Sequence, residues 1–178
     1  MNDQPHSDRP AAAGPGSTGA ALLGIYLNDH LAGAIVGTDR ARSLAGAFRG
    51  SPSGSTLRTI AEEIAEDRAS LLGIMKRLGV PVRRYKVTLA WAAEKVARLK
   101  SNGRLVRRSP LSSLVELEAL RLGVLGKASG WQTLRQVAES DGRLDTRQLD
   151  ELLERAERQQ ATLEELRRRQ VPETFRQA

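Results

Sequence analysis

The strongest constraint on this chain is a period. Leu57, Ile60, Ile64, Leu71, Met75 and Leu78 recur at three- and four-residue steps, the spacing of one face of an α-helix. The same period runs through Leu23, Leu27, Ala34, Thr38, Ala41, Ala45 and Phe48, through Leu117, Leu120, Val124, Ala128 and Trp131, and through Leu149, Leu152, Ala156, Leu163 and Leu166. Hydrophobic residues make up 40% of the 178 residues but aromatics only 3%, so Leu, Ala, Val and Ile must fill the core. Ala and Leu are strong helix formers, and runs of the β-branched and aromatic residues that favour strands are nearly missing. The reading is an all-α fold.

Helix-breaking residues divide the pattern. Residues 1–18 carry Pro5, Pro10, Pro15, Gly14 and Gly16 without a hydrophobic period and read as a disordered tail. A helical domain is expected over 19–172 and a short tail over 173–178. Within the domain the first helix spans 18–48 and ends at Gly50-Ser51-Pro52-Ser53-Gly54. Ser55 or Thr56 can cap the second, which reaches 78 before Gly79 and Pro81 stop it. A shorter helix over 85–100 aligns Tyr85, Leu89, Ala92, Val96 and Leu99. Ser109-Pro110 opens the next, over 111–140, and the last covers 146–170 after Asp141-Gly142. The helix over 111–140 carries a second stripe of small residues, Ala119, Gly123, Gly126 and Gly130. Glycine costs helix stability, so this stripe predicts close approach of another helix. It also offers a face for a homo-oligomer.

With no cysteine, disulfides, thiolate metal sites and cysteine nucleophiles are excluded, which fits a reducing cytoplasm. No apolar run approaches the roughly 20 residues of a membrane span. The nearest, 20–36, is interrupted by Asn28, Asp29 and His30 and lacks the flanks of a signal peptide. No transmembrane segment is expected.

The order of elements, a two-helix hairpin, a long connection holding a short helix and a second hairpin, is the ferritin-like arrangement. Particular residues carry the resemblance further. Leu27-Asn28-Asp29-His30-Leu31-Ala32 resembles the first-helix run of bacterioferritin-type proteins, and Glu63-Ile64-Ala65-Glu66 with Leu78-Gly79-Val80-Pro81 is similar to their second-helix motif and its ending. Ferritin-like di-iron sites take a Glu from each of two helices and a Glu-x-x-His from each of the other two. Carried onto this chain, the first Glu falls on Ala34 and the second-helix motif on Glu63 and Glu66. The third-helix Glu falls on Glu116, and the last motif on Ala156 and Gln159 or, shifted by one, on Glu157 and Gln160. Both histidines and at least one carboxylate are missing. The resemblance therefore implies a ferritin-like bundle with degenerate ligand positions, and neither metal nor cofactor is expected.

A different polar set falls on the inward faces. His30 lies one turn before Ala34, and Thr38, Asp67, Arg68, Arg121, Gln159 and Gln160 lie on or beside the interior stripes. These residues form either a pocket with His30 as acid, base or ligand, or a hydrogen-bonded network where a metal site once stood. The second reading is adopted, with Asp67 paired to Arg68 or Arg121 because a buried charge needs a partner. His6 and His30 have no two-histidine spacing, and no catalytic residue is nominated.

The net charge of +7 is unevenly placed. Residues 76–108 hold eleven Lys and Arg against one acid, Glu94, a net +10 that leaves −3 for the rest. The polyanion-binding candidates are Arg83, Arg84, Lys86, Trp91, Lys95, Arg98, Lys100, Arg104, Arg107 and Arg108. Arg84, Thr88, Trp91, Lys95 and Arg98 share one face of the short helix, where cations can meet the phosphates of nucleic acid or of an anionic membrane surface. An acidic protein is the other partner such a face fits. Three functional classes follow. They are a non-catalytic ferritin-like binding or structural module, a metal-dependent ferritin-like oxidase, and a nucleic-acid-binding protein of the mini-ferritin kind. The first accounts for both the missing ligands and the basic connector.

Overall fold

A computed structural model describes residues 15–83 and 110–176. They form four helices: α1 Pro15–Ala47, α2 Gly54–Arg77, α3 Pro110–Val137 and α4 Thr146–Phe175. No strand occurs among the described residues. The all-α reading holds. The short helix expected over 85–100 lies outside the described residues.

The helix ends follow local chemistry, with some differences from expectation. Helix α1 begins at Pro15, inside the stretch read as a tail. Ser53, rather than Ser55 or Thr56, sits at the N-cap of α2. Leu78 closes α2, and Gly79 follows at φ 70°, the left-handed conformation that glycine adopts without a Cβ clash. The Val80 amide then reaches back to the Met75 carbonyl at 2.9 Å, a helix-ending motif that satisfies a last-turn acceptor. Pro110 is the first residue of α3, as its missing amide hydrogen favours. Asp145 caps α4 by accepting from the Gln148 amide at 3.2 Å. Helix α4 continues through Pro172 to Phe175, past the expected end at 170. Thr174 there donates to the Pro110 carbonyl at 3.2 Å, tying the end of α4 to the start of α3.

Helices α1 and α2 pack as one hairpin and α3 and α4 as another, with α1 also packed on α3. Arg135–Asp150 at 2.9 Å and Thr174–Pro110 mark opposite ends of the α3/α4 hairpin, so its helices are antiparallel. Tyr26 donates to Thr133 at 3.0 Å near the start of α1 and the end of α3, so these two are antiparallel as well. It follows that α2 and α3 run parallel. Asn28, 2% exposed, anchors the chain as it leaves α2. Its amide donates to the carbonyls of Gly24 and Pro81, and its oxygen accepts from the Arg83 amide at 2.8 Å. Arg83 thus lies beside residue 28, near the residue 130 end of α3. Pro110 is 20 residues earlier in that helix, about 30 Å away at 1.5 Å per residue. The connection between the hairpins is a long crossover.

The core is aliphatic, with Leu44, Ile74, Met75, Leu134, Leu149 and Leu163 fully enclosed. Helix α4 buries Leu149, Leu152, Ala156, Gln159, Leu163, Leu166 and Gln170, an alternating three-and-four spacing that gives a straight seam against its neighbours. Helix α1 is different. Over 18–47 it is long and apolar enough, by length and composition, to cross a membrane, with mean hydropathy 1.3, yet only 17% of its most apolar window is buried. The stretch 20–36 that Asn28, Asp29 and His30 interrupt lies inside this helix, and its mean hydropathy stays high despite them.

Candidate functional site: a charged layer beside an open cleft

Two of the inward polar residues meet in the middle of the bundle. Asp67 of α2 and Gln159 of α4 are each 1% exposed, and each falls on the three-and-four stripe of its own helix. The third member is Lys127 of α3, whose Nζ donates to both Asp67 Oδ2 and Gln159 Oε1. Gln159 Nε2 donates to Glu63 at 2.8 Å. Arg155 Nη1 donates to Glu66 at 2.9 Å and to Asp67 Oδ1 at 3.2 Å. A buried carboxylate is therefore held by one ammonium and one guanidinium, and the buried amide uses both its oxygen and its nitrogen. Burial pushes the Lys127 pKa down, and the carboxylate of Asp67 opposes that shift.

Lys127 was not among the candidates. Its signal was present, because 117, 120, 124, 127, 131 and 134 keep the alternating step. Ala128 also fits the apolar stripe and took the position in the reading. Neither Arg68 nor Arg121, the partners expected for Asp67, pairs with it. Arg121 is not interior: its side chain is 43% exposed and sits 3.4 Å from Glu164 on the α3/α4 surface. Position 121 follows Leu120 around the helix and points past the seam. Arg68 is half-buried and does not pair with Asp67. Thr38 is buried but donates to its own helix, to the Ala34 carbonyl at 2.7 Å. Gln160 is half-buried beside the seam.

His30 is half-buried rather than enclosed, its ring 4.4 Å from that of Tyr26. A Cβ added to Gly130 would stand 3.0 Å from His30 Nδ1, so glycine lets α1 and α3 touch there. Burial lowers the His30 pKa, partly offset by Asp29. The small-residue stripe thus brings a helix close at Gly130. At Gly123 and Gly126 it does not: both are exposed, and a Cβ on either meets nothing within 4 Å. A cleft of about 1180 Å³ opens there between α1 and α3, floored by α2.

The positions carried over from the ferritin-like pattern are also placed. Ala34 lines this cleft, and Ala156 is fully buried without a ligand atom. Glu63 and Glu66 bond Gln159 and Arg155. Glu116 is half-buried and Glu157 exposed. Among the described residues, no three His, Cys, Asp or Glu side chains are grouped to hold a metal ion. Of the polyanion candidates only Arg83 lies within the described residues, where it is exposed. Arg84, Lys86, Trp91, Lys95, Arg98, Lys100, Arg104, Arg107 and Arg108 lie outside them. No family model, curated protein or solved structure matches the chain.

Proposed function

We propose that the chain is a non-catalytic, ferritin-like four-helix bundle that serves in the cytoplasm as a binding or structural module. The antiparallel hairpin, long crossover and second antiparallel hairpin support the ferritin-like part of this reading. One observation carries the non-catalytic part. Lys127 Nζ lies against Asp67 and Gln159 in the middle of the bundle, where ferritin-like proteins gather carboxylates and imidazoles around metal ions. A fixed ammonium there supplies the positive charge that the carboxylates would otherwise seek from a cation, and it repels an incoming one. The test is elemental analysis after incubation with ferrous or manganous ions and desalting. The proposal expects substoichiometric metal and no ferroxidase turnover. Two metals per chain, lost on Glu63→Ala or Glu116→Ala, would overturn it.

The basic stretch of 76–108 supplies the module's partner in this proposal, a polyanion. Its charge density supports the reading, and phosphate binding of this kind weakens steeply with salt as counterions are released. Binding of DNA, RNA or anionic vesicles at low ionic strength, lost on reversing Arg84, Lys95 and Arg98 to Glu, is the expected outcome. No binding to any of the three removes this part of the proposal.

A further inference from the structure

The cleft between α1 and α3 has the size and lining of a small-molecule site. Its walls are mainly aliphatic and glycyl, with Ala34, Val36, Leu71, Leu120, Gly123 and Val124 among them. Three polar groups in the lining differ from the rest. The guanidinium groups of Arg40 and Arg68 make no ion pair or hydrogen bond among the described residues. Trp131, 3% exposed, keeps its indole Nε1 buried without a hydrogen-bond partner. Arginine and the indole nitrogen are donors that cannot accept. An occupant that supplies anionic oxygen acceptors would pair the two partly exposed guanidiniums, whereas the indole nitrogen is enclosed in the wall near His30, at the other end of the cleft.

The opposing charges do not fill that role. Asp67 is already held by Lys127 and Arg155, and Asp29 is exposed at the Tyr26 end of the cleft. His30, at the same end, has its charged form disfavoured by burial, partly offset by Asp29. The cleft extends along α1 from Tyr26 to Arg40, 14 residues or about 21 Å of helix. A long apolar body with one anionic end matches this shape and this distribution of charge.

We infer that the α1/α3 cleft binds a long-chain fatty acid, its carboxylate held by Arg40 and Arg68 and its chain laid along the glycine- and alanine-rich wall. Arginine suits the task because its planar fork meets a carboxylate through two parallel hydrogen bonds. Gly123 and Gly126 act by absence, since side chains there would fill the channel. The inference goes beyond the metal-free reading of the bundle and does not depend on it.

The test uses the full-length protein with Trp91→Phe, which leaves Trp131 as the sole tryptophan. Palmitate, kept below its aggregation limit, should change Trp131 fluorescence saturably and displace a fluorescent fatty acid. Methyl palmitate, which lacks the charge, should bind at least tenfold more weakly. Arg40→Gln and Arg68→Gln should each weaken palmitate by about tenfold, the usual worth of a charge-assisted hydrogen bond. Gly123→Phe should block binding with helicity unchanged, because no neighbouring atom stands in its way. Three results would overturn the inference. They are no saturable response to palmitate, equal binding of acid and ester, or a dimer at all concentrations whose cleft palmitate does not enter, which would assign the face to a second copy.

Discussion

Helix α3 meets α4 along its whole length but meets α1 chiefly at one end. On the α4 side, Arg135–Asp150, Arg121–Glu164 and Arg167–Glu118 bridge the pair in a constant antiparallel register. Beneath them lie Leu117, Leu134, Leu149 and Leu163, all nearly inaccessible. On the α1 side, Tyr26–Thr133 and the contact of His30 with Gly130 close the helices together, and beyond them the walls stand apart around the cleft. The more polar helix is the better buried. Helix α4 carries a dense charged exterior and a narrow apolar seam, whereas α1 is apolar nearly all round and leaves Leu22 and Ile25 exposed. Hydrophobicity decides how much surface a helix would gain by burial. Periodicity decides whether a neighbour can cover that surface.

The largest expected effects sharpen this contrast. Leu163→Ala, at a fully enclosed position of the α3/α4 seam, should lower unfolding free energy by about 2–5 kcal/mol. Leu122→Ala, 64% exposed on the same helix pair, should change it by less than about 0.5 kcal/mol. Comparable losses in urea titrations would mean that α3 is covered on its outer face too.

Arg121→Ala is the next step down. The ion pair with Glu164 is partly exposed and should be worth less than about 1 kcal/mol. A loss of several kcal/mol would return Arg121 to the interior that the sequence reading assigned it. Glu164 keeps other partners in that variant: Arg167 and Arg168 hold its carboxyl down to about 2.

The smallest effect is a pH dependence on the open side. Burial lowers the His30 pKa below its ordinary 6.5, so the unfolded chain binds this proton more readily than the folded one. Stability from this group is complete above the unfolded value and declines as pH falls through it toward the folded value. His30→Asn should flatten the slope of stability between about pH 7.5 and 5.5. An unchanged slope would place the histidine in a water-like setting.

The sequence carried the helices better than it carried their neighbours. The faces of α2 and α4 were legible because a narrow stripe at three-and-four spacing admits one orientation. Asp67 and Gln159 were legible for the same reason, since each interrupts such a stripe. Their cation was not, because Ala128 fits the α3 apolar stripe as well as Lys127 does. Arg121 also lies at three- and four-residue steps from Leu117 and Val124, which reads as interior, but it sits at the edge of that stripe, one residue and about 100° around the helix from Leu120. Glycines at 123, 126 and 130 looked alike in sequence. Only the path of α1 separates the one that serves a contact from the two that line a cleft. Asn28 read as an interruption of an apolar run, yet it is the buried anchor of the crossover. Its role depends on Pro81 and Arg83, more than 50 residues away.

The pairing of Asp67 with Lys127 holds the charged layer across the middle of the bundle, and a double-mutant cycle measures it directly. Lys127→Met leaves a carboxylate at 1% exposure with Arg155 as its remaining ion-pair partner and should cost about 3–5 kcal/mol. Asp67→Leu strands the ammonium and should cost a similar amount. The double variant replaces the pair with apolar groups of like size and should recover most of the loss, because two well-packed aliphatic side chains can equal a buried ion pair. The predicted coupling in urea titrations is therefore at least about 1.5 kcal/mol, within the range for residues in direct contact. Additive losses within about 0.5 kcal/mol would show that the two side chains do not sense one another, and the charged layer would not be held together by this pair.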